Sequence, residues 1–413
     1  MQIIKSYFKK PILVMLFLGF ASGIPLALIL STVKAFLVDK NIDIAAIGFF
    51  ALVTLPYSIK FLWAPLIDSI KIPILSKLGK RRSWIILTQI ILVILIIFLG
   101  IFSNYSNISN VVLISLLIAI TSASHDIAVD AYRIESIKTE NQAIAASMYI
   151  YGYRIGMLMS GAIALMLADQ FSWNIVYYFV AIIMIIGIFT TLIADESQKS
   201  DKNDKKSFAQ WIKTSIINPF SDFARKPKWY LIFLFIICFK ITDAFAGNLL
   251  LPFLLKIGFT KTQYAAIVKT FGLFATLFGA LLGGIIVKKI GLMKGLWIAA
   301  ILQISSNFGF YYLSLIGNNL NALYAVILIE NMSGGIGDVI FVAYLSSLCN
   351  IKFTATQYSL LASLASIARS FLSSPAGILV NYFSWSGFFL SSIILGIPSL
   401  ILLYLIRKTF KKI

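Results

Sequence analysis

The stretch Ser83–Phe102, SWIILTQIILVILIIFLGIF, carries no charged residue from end to end. About 20 such residues span the hydrocarbon core of a bilayer as one helix, at roughly 1.5 Å of rise per residue. Comparable runs recur near 11–36, 44–67, 83–102, 109–130, 144–168 and 172–194, and again near 229–254, 262–287, 295–316, 320–348, 355–380 and 385–406. Each run must satisfy its backbone internally within lipid, so each is expected to be helical. With 60% hydrophobic residues, 12% charged residues and a mean hydropathy of +0.92, the 413-residue chain reads as an all-α integral membrane protein with twelve transmembrane helices.

The runs fall into two sets of six, predicting an N-terminal six-helix bundle over 1–194, a polar linker over 195–228 and a C-terminal six-helix bundle over 229–413. The linker is rich in Lys, Asp and Ser before it reaches Trp211, Ile212, Ile216, Ile217 and Phe220, which suit an amphipathic interfacial helix. Most of the 35 Lys and Arg residues lie at the two ends, in the linker and in the even-numbered connections, such as Lys71, Lys77, Lys80, Arg81 and Arg82. Basic residues resist translocation, so both termini are expected in the cytoplasm. The net charge of +19 is therefore a topology signal, and its dispersal over loops argues against nucleic-acid binding. A cleaved signal peptide is not expected, because the first run is too long and eleven others follow. Cys238 and Cys349 sit in separate runs and read as packing thiols, with no metal or cofactor site.

Ten charges remain at membrane depth: Lys60, Asp126, Asp130, Arg154, Lys240, Asp243, Lys269, Glu330, Asp338 and Arg369. Facing lipid unpaired, they would cost on the order of 30 kcal/mol, so they are expected to pair or to line a hydrated cavity. Asp126 and Asp130 are four apart and share a helix face with Ser122. Two neighbouring carboxylates in a low-dielectric setting suit proton coupling, with Asp126 the favoured carrier and Asp130 placed to pair with Arg133 or a gate; the alternative is that both belong to static ion pairs. His125 adjoins Asp126 and joins that proton-coupling set. Lys240 and Asp243, three apart, either neutralise each other or meet substrate. Arg154, Lys269 and Arg369 come from both halves and suit an anionic solute, with Glu330 or Asp338 as alternative counter-ions. Gly334–Asp338 reads as a weakened helix, and the pairs Gly19/Gly23, Gly152/Gly156 and Gly279/Gly283 read as close-packing faces.

The connection WAPLIDSIKIPILSKLGKRRSW, residues 63–84, resembles the signature loop of the major facilitator superfamily, with Asp68, Gly79, Lys80, Arg81 and Arg82 in the motif positions. The resemblance implies that superfamily's fold and a gating role for Asp68, Gly79, Arg81 and Arg82. Further segments narrow it: LGFASGIPLAL (18–28), KFLWAPLID (60–68), SASHDIAVDAYR (122–133), YGYRIGMLMSG (151–161), DAFAGNLL (243–250), KTFGLFATLFGALLGG (269–284), ENMSGGIG (330–337) and CNIKFTATQYSLLASL (349–364). Together they resemble the AmpG family of muropeptide permeases. That resemblance implies a monomeric inner-membrane carrier that imports N-acetylglucosaminyl-anhydro-N-acetylmuramyl peptides from periplasm to cytoplasm with protons, for peptidoglycan recycling. Substrate carboxylates would meet Arg154, Lys240, Lys269 or Arg369. Tyr57, Trp63, Tyr151 and Tyr153 offer rings for the sugar faces, and Asp243 and Glu330 complete the expected substrate-binding set. No GxxxxGK[ST] phosphate loop is present, which fits secondary transport. The rival readings are a carrier of another anionic solute such as acetyl-CoA and, more remotely, an intramembrane enzyme or a non-transporting receptor.

Overall fold

Helices form at every predicted run in the computed structural model, which describes residues 2–42, 50–73, 75–103, 108–196, 217–260, 263–372 and 376–407. They are α1 (Lys10–Asp39), α2 (50–69), α3 (Lys80–Phe102), α4 (Ile108–Ser136), α5 (Thr139–Ala168) and α6 (Trp173–Ile193), followed by α7 (229–256), α8 (264–290), α9 (Leu292–Ile316), α10 (Leu320–Ser347), α11 (Thr354–Leu372) and α12 (Ala376–Ile406, broken by a kink at Ser384, φ 58°). Among the described residues, nine of these helices are long and apolar enough to cross a membrane without interruption. Most of the linker, 197–216, lies outside the described residues; the end of the predicted interfacial stretch enters a short helix, Asn218–Ala224.

The run 44–67 is not one helix over its described part. From Phe50 it proceeds through short turns, Phe50–Thr54, Leu55–Ile59, Lys60–Leu62 and Ala64–Ser69. Pro56 and Pro65 each lie in the first turn of a new piece, where the missing N–H does no harm but the preceding helix must stop. The expected weakness at Gly334–Asp338 is also absent, because α10 runs unbroken through it. Its glycines serve contact instead. A Cβ on Gly335 would lie 2.2 Å from Thr276 O on α8, and one on Gly279 would lie 2.2 Å from Met332 O.

The chain divides into two compact units, Met1–Phe220 with Leu348–Ser363, and Ser221–Ser347 with Leu364–Ile413. In the first, α1 packs on α5 while α3 packs on α4 and α6. Its core gathers Leu28, Phe36, Leu92, Ile96, Ile118, Tyr177 and Val180. In the second, α10 packs on α8 and α9, and α12 packs on α7 and α9, around Phe253, Phe310, Phe388 and Phe389.

The α1/α5 contact confirms the glycine reading. A Cβ on Gly19 or Gly23 would sit 2.1 Å from the carbonyl oxygen of Tyr149 or Tyr153, and one on Gly152 only 1.8 Å from that of Leu16. Gly152→Ala is therefore expected to force the helices apart, at a cost of about 1–3 kcal/mol. Thermal unfolding of the purified protein in detergent reads this directly, and an unchanged midpoint would refute the close contact. Just beyond the glycines both helices widen into π-helical turns, Leu28–Val33 in α1 and Met159–Ile163 in α5. The two turns are tied together: Thr32 Oγ1 donates to Ser160 O at 2.5 Å, and Ser160 Oγ donates to Ile24 O at 2.7 Å.

Candidate functional site

Two polar centres in the first unit collect most of the predicted residues. The first joins the end of α2, the start of α3, the end of α4 and the start of α11. Gly79, at φ 95°, turns the chain into α3, and the Glu196 carboxylate receives the Arg81 and Arg82 backbone N–H groups at 3.4 Å each. This entry aims the two arginines differently. Arg81 donates through Nη2 to Asp68 Oδ1 at 2.7 Å and to Glu135 Oε1 at 2.6 Å, and through Nε to Glu135 Oε2 at 3.0 Å. Arg82 instead donates to the carbonyls of Thr191 and Leu192, at 3.0 and 2.7 Å, and so caps the end of α6. Of the four residues expected to gate, Asp68 and Arg81 share a charge cluster, Gly79 makes the turn, and Arg82 belongs to a helix end.

Asp68 has a second set of partners. Its Oδ2 accepts from the Thr356 backbone N–H and hydroxyl, both at 2.7 Å, and its Oδ1 accepts from the Ala355 N–H at 3.3 Å. Glu135 Oε1 accepts from the Thr354 hydroxyl at 2.7 Å. Two carboxylates thus cap the first turn of α11, where the exposed N–H groups and the helix dipole favour negative charge. The Arg81, Asp68 and Glu135 side chains are at most 7% exposed, so the cluster is a buried one. Glu135, Thr354 and Thr356 escaped the sequence reading. The one available signal was an acidic residue two positions beyond Arg133 with no assigned partner.

The second centre lies deeper, on α4. Asp126 and Asp130 share a buried face with Ser122, as their spacing predicted. Asp130 Oδ1 accepts from Arg133 Nη2 at 3.3 Å, and its Oδ2 lies 3.8 Å from Lys60 Nζ, which is itself buried on α2. Asp126 is different: it is 7% exposed, and its Oδ1 has no hydrogen-bond partner among the described residues. Lys60 and Tyr57 from α2 and Tyr149 and Tyr153 from α5 surround it within electrostatic reach. Trp63 closes toward α4, donating from Nε1 to Ser124 Oγ at 3.0 Å. A change of charge on Asp130 breaks ion pairs, whereas Asp126 stands in no ion pair among the described residues.

His125 stands apart from the carboxyl face. It is fully buried, with Nδ1 3.2 Å from Ser22 Oγ on α1 and Nε2 3.2 Å from Gln89 Nε2 on α3. Gln89 Oε1 in turn accepts from Thr191 Oγ1 on α6 at 3.0 Å. The ring therefore ties four helices together, and sequence position alone did not reveal its partners.

The remaining predicted residues spread over both units. Arg154 and Tyr151 are half-buried on α5. In the second unit Lys240 on α7 pairs with Asp338 on α10 at 2.5 Å and lies over the Phe341 ring at 5.2 Å. Lys240, for which neutralisation by Asp243 and contact with substrate both stood open, thus makes a bridge between helices. Lys269 is exposed and stands 5.6 Å from the Tyr264 ring, within the π-helical turn Tyr264–Phe271 of α8. Glu330 is half-buried on α10. The side chains of Asp243 and Arg369 lie outside those described.

Comparison with known proteins accords with this architecture. The profile of the Major Facilitator Superfamily matches residues 12–373. The human organic anion transporter MFSD10 (TETRAN) superposes with a TM-score of 0.71 at 12% identity, covering 95% of this chain and 99% of that one. The chain belongs to the major facilitator superfamily, in its AmpG branch, and is a multi-pass membrane transporter of small molecules rather than an enzyme. Within that branch, the putative transporter AmpG 4 of Rickettsia conorii is 39% identical over 99% of both chains. The anhydromuropeptide permease of Escherichia coli K12 is 38% identical over 96% of this chain and 80% of its own length.

Proposed function

We propose that this transporter imports anhydro-muropeptides across a bacterial inner membrane, with both termini cytoplasmic and with protons as the driving ion. Identity to an anhydromuropeptide permease, sustained over nearly the whole chain, carries the substrate assignment. Asp126 supports the coupling: a buried carboxyl with one oxygen unpartnered exchanges a proton without dismantling an ion pair. Asp130, already bound by Lys60 and Arg133, holds the local charge balance. Arg154, Lys240, Lys269 and Arg369 suit the peptide carboxylates, Arg154 and Lys269 standing outside the charge clusters among the described residues, while Tyr57, Trp63 and Tyr151 suit the sugar faces. Asp68, Arg81 and Glu135 act as a latch on the first turn of α11.

The test is uptake into inverted or right-side-out vesicles with an imposed proton gradient, comparing labelled anhydro-muropeptide with labelled acetyl-CoA. Accumulation of the muropeptide alone, collapsing when the gradient is dissipated, is the expected result. Preference for acetyl-CoA would overturn the substrate assignment, and muropeptide accumulation indifferent to the gradient would overturn the coupling.

A further inference from the structure

Ser22, Gln89, His125 and Thr191 form a continuous hydrogen-bond chain in which every member is fully buried. Its polarity follows from what each atom can donate. Gln89 Oε1 only accepts, and it takes the Thr191 hydroxyl proton at 3.0 Å. Gln89 Nε2 only donates, so the facing His125 Nε2 carries no proton. The neutral ring then holds its proton on Nδ1 and donates it to Ser22 Oγ. Ser22 keeps its own hydroxyl proton for an onward bond. Ser22 lies against His125, the residue before Asp126, so the Asp126 carboxylate and the Tyr149 hydroxyl are the candidate acceptors beside it, and an ionised carboxylate is the stronger.

We propose that this chain is a directional relay that aims the Ser22 O–H at Asp126 and sets that carboxyl's affinity for the proton, with His125 as a positioning residue acting through Ser22. The inference rests on the reading of Asp126 as the proton carrier. The other charged or titratable groups facing Asp126 are Lys60 and Tyr57 from α2, Asp130 on its own helix, and Tyr149 and Tyr153 from α5. The rival is the opposite polarity. Thr191 Oγ1 also lies 2.9 Å from Gly187 O, and donating there would turn the Gln89 amide over, place the ring proton on Nε2 and consume the Ser22 proton on the ring.

His125 is the one histidine in the sequence, so ¹⁵N-histidine labelling of the full-length protein in nanodiscs yields a single pair of ring-nitrogen signals. The expected pattern is a protonated Nδ1 and a bare Nε2; a protonated Nε2 overturns the relay. The second readout is the pH at which gradient-driven muropeptide uptake falls to half. Ser22→Ala is expected to move it upward by about one unit, the worth of one hydrogen bond to a charged group. His125→Phe should move it similarly, and the double variant no further than Ser22→Ala alone. Unmoved midpoints, or shifts that add in the double variant, overturn the relay. If His125→Phe fails to reach the membrane, Thr191→Val at the far end of the chain replaces it, with a smaller shift in the same direction. Asp126→Asn separates the inference from its premise. If that variant still concentrates substrate, the premise falls and the relay with it; if it does not, and Ser22→Ala leaves the midpoint in place, the relay alone falls.

Discussion

Asp126→Asn is expected to abolish accumulation of substrate up a proton gradient while leaving gradient-independent counterflow intact. The amide matches the carboxyl in shape, so the packing of α4 survives, yet it neither binds nor releases the transported proton. No ion pair among the described residues is lost, since the partners of the neighbouring pairs are Asp130, Lys60 and Arg133. Uptake then falls to the level of passive equilibration, and the gap between uptake and counterflow is the diagnostic quantity. Asp130→Asn should behave differently. It strands Lys60 and Arg133 in a buried setting, so both uptake and counterflow should fall together with thermal stability. Equal behaviour of the two variants would remove the distinction between a carrier and a charge-balancing residue.

Arg81→Met is expected to release the start of α11. Two buried carboxylates, Asp68 and Glu135, then face each other without their shared cation, a loss of about 3–5 kcal/mol for breaking a buried pair. Cys349, two residues before the turn Ile351–Phe353 that leads into α11, is a native reporter of this change. Its alkylation by a membrane-impermeant maleimide should accelerate by about a hundredfold or more, the minimum that an energy of this size implies. A Cys238→Ser background makes Cys349 the one remaining thiol. Arg81→Lys keeps the charge but loses the forked geometry, so an intermediate rate is expected. Unchanged alkylation together with unchanged thermal stability would show that the cluster does not hold α11.

Sequence periodicity made the helices legible because lipid forces a simple rule on any spanning segment. It failed at 44–67, where apolar content satisfied the rule but Pro56 and Pro65 imposed new starts. Gly334–Asp338 misled for the complementary reason. Glycine lowers helix propensity, yet in a packed membrane helix the loss of a side chain permits the backbone contacts seen at Gly335 and Gly279. The carboxyl pair on α4 was visible as i, i+4 spacing, and its tie to Arg133 as i, i+3. For Lys240 the sequence offered Asp243 on its own helix or the substrate, and left its bridge to Asp338 unseen, because spacing along a helix cannot report what the next helix brings. Glu135 with Thr354, and His125 with Ser22 and Gln89, were invisible for the same cause: their partners lie far away in the chain.

The stacked glycines of α1 and α5 hold the two backbones at touching distance along Gly19, Gly23, Gly152 and Gly156, so this pair of helices is built as a single rod. The adjoining wide turns, Leu28–Val33 and Met159–Ile163, sit side by side and are stitched through Thr32 and Ser160. The rod therefore has a knee, and neither bone bends at it alone.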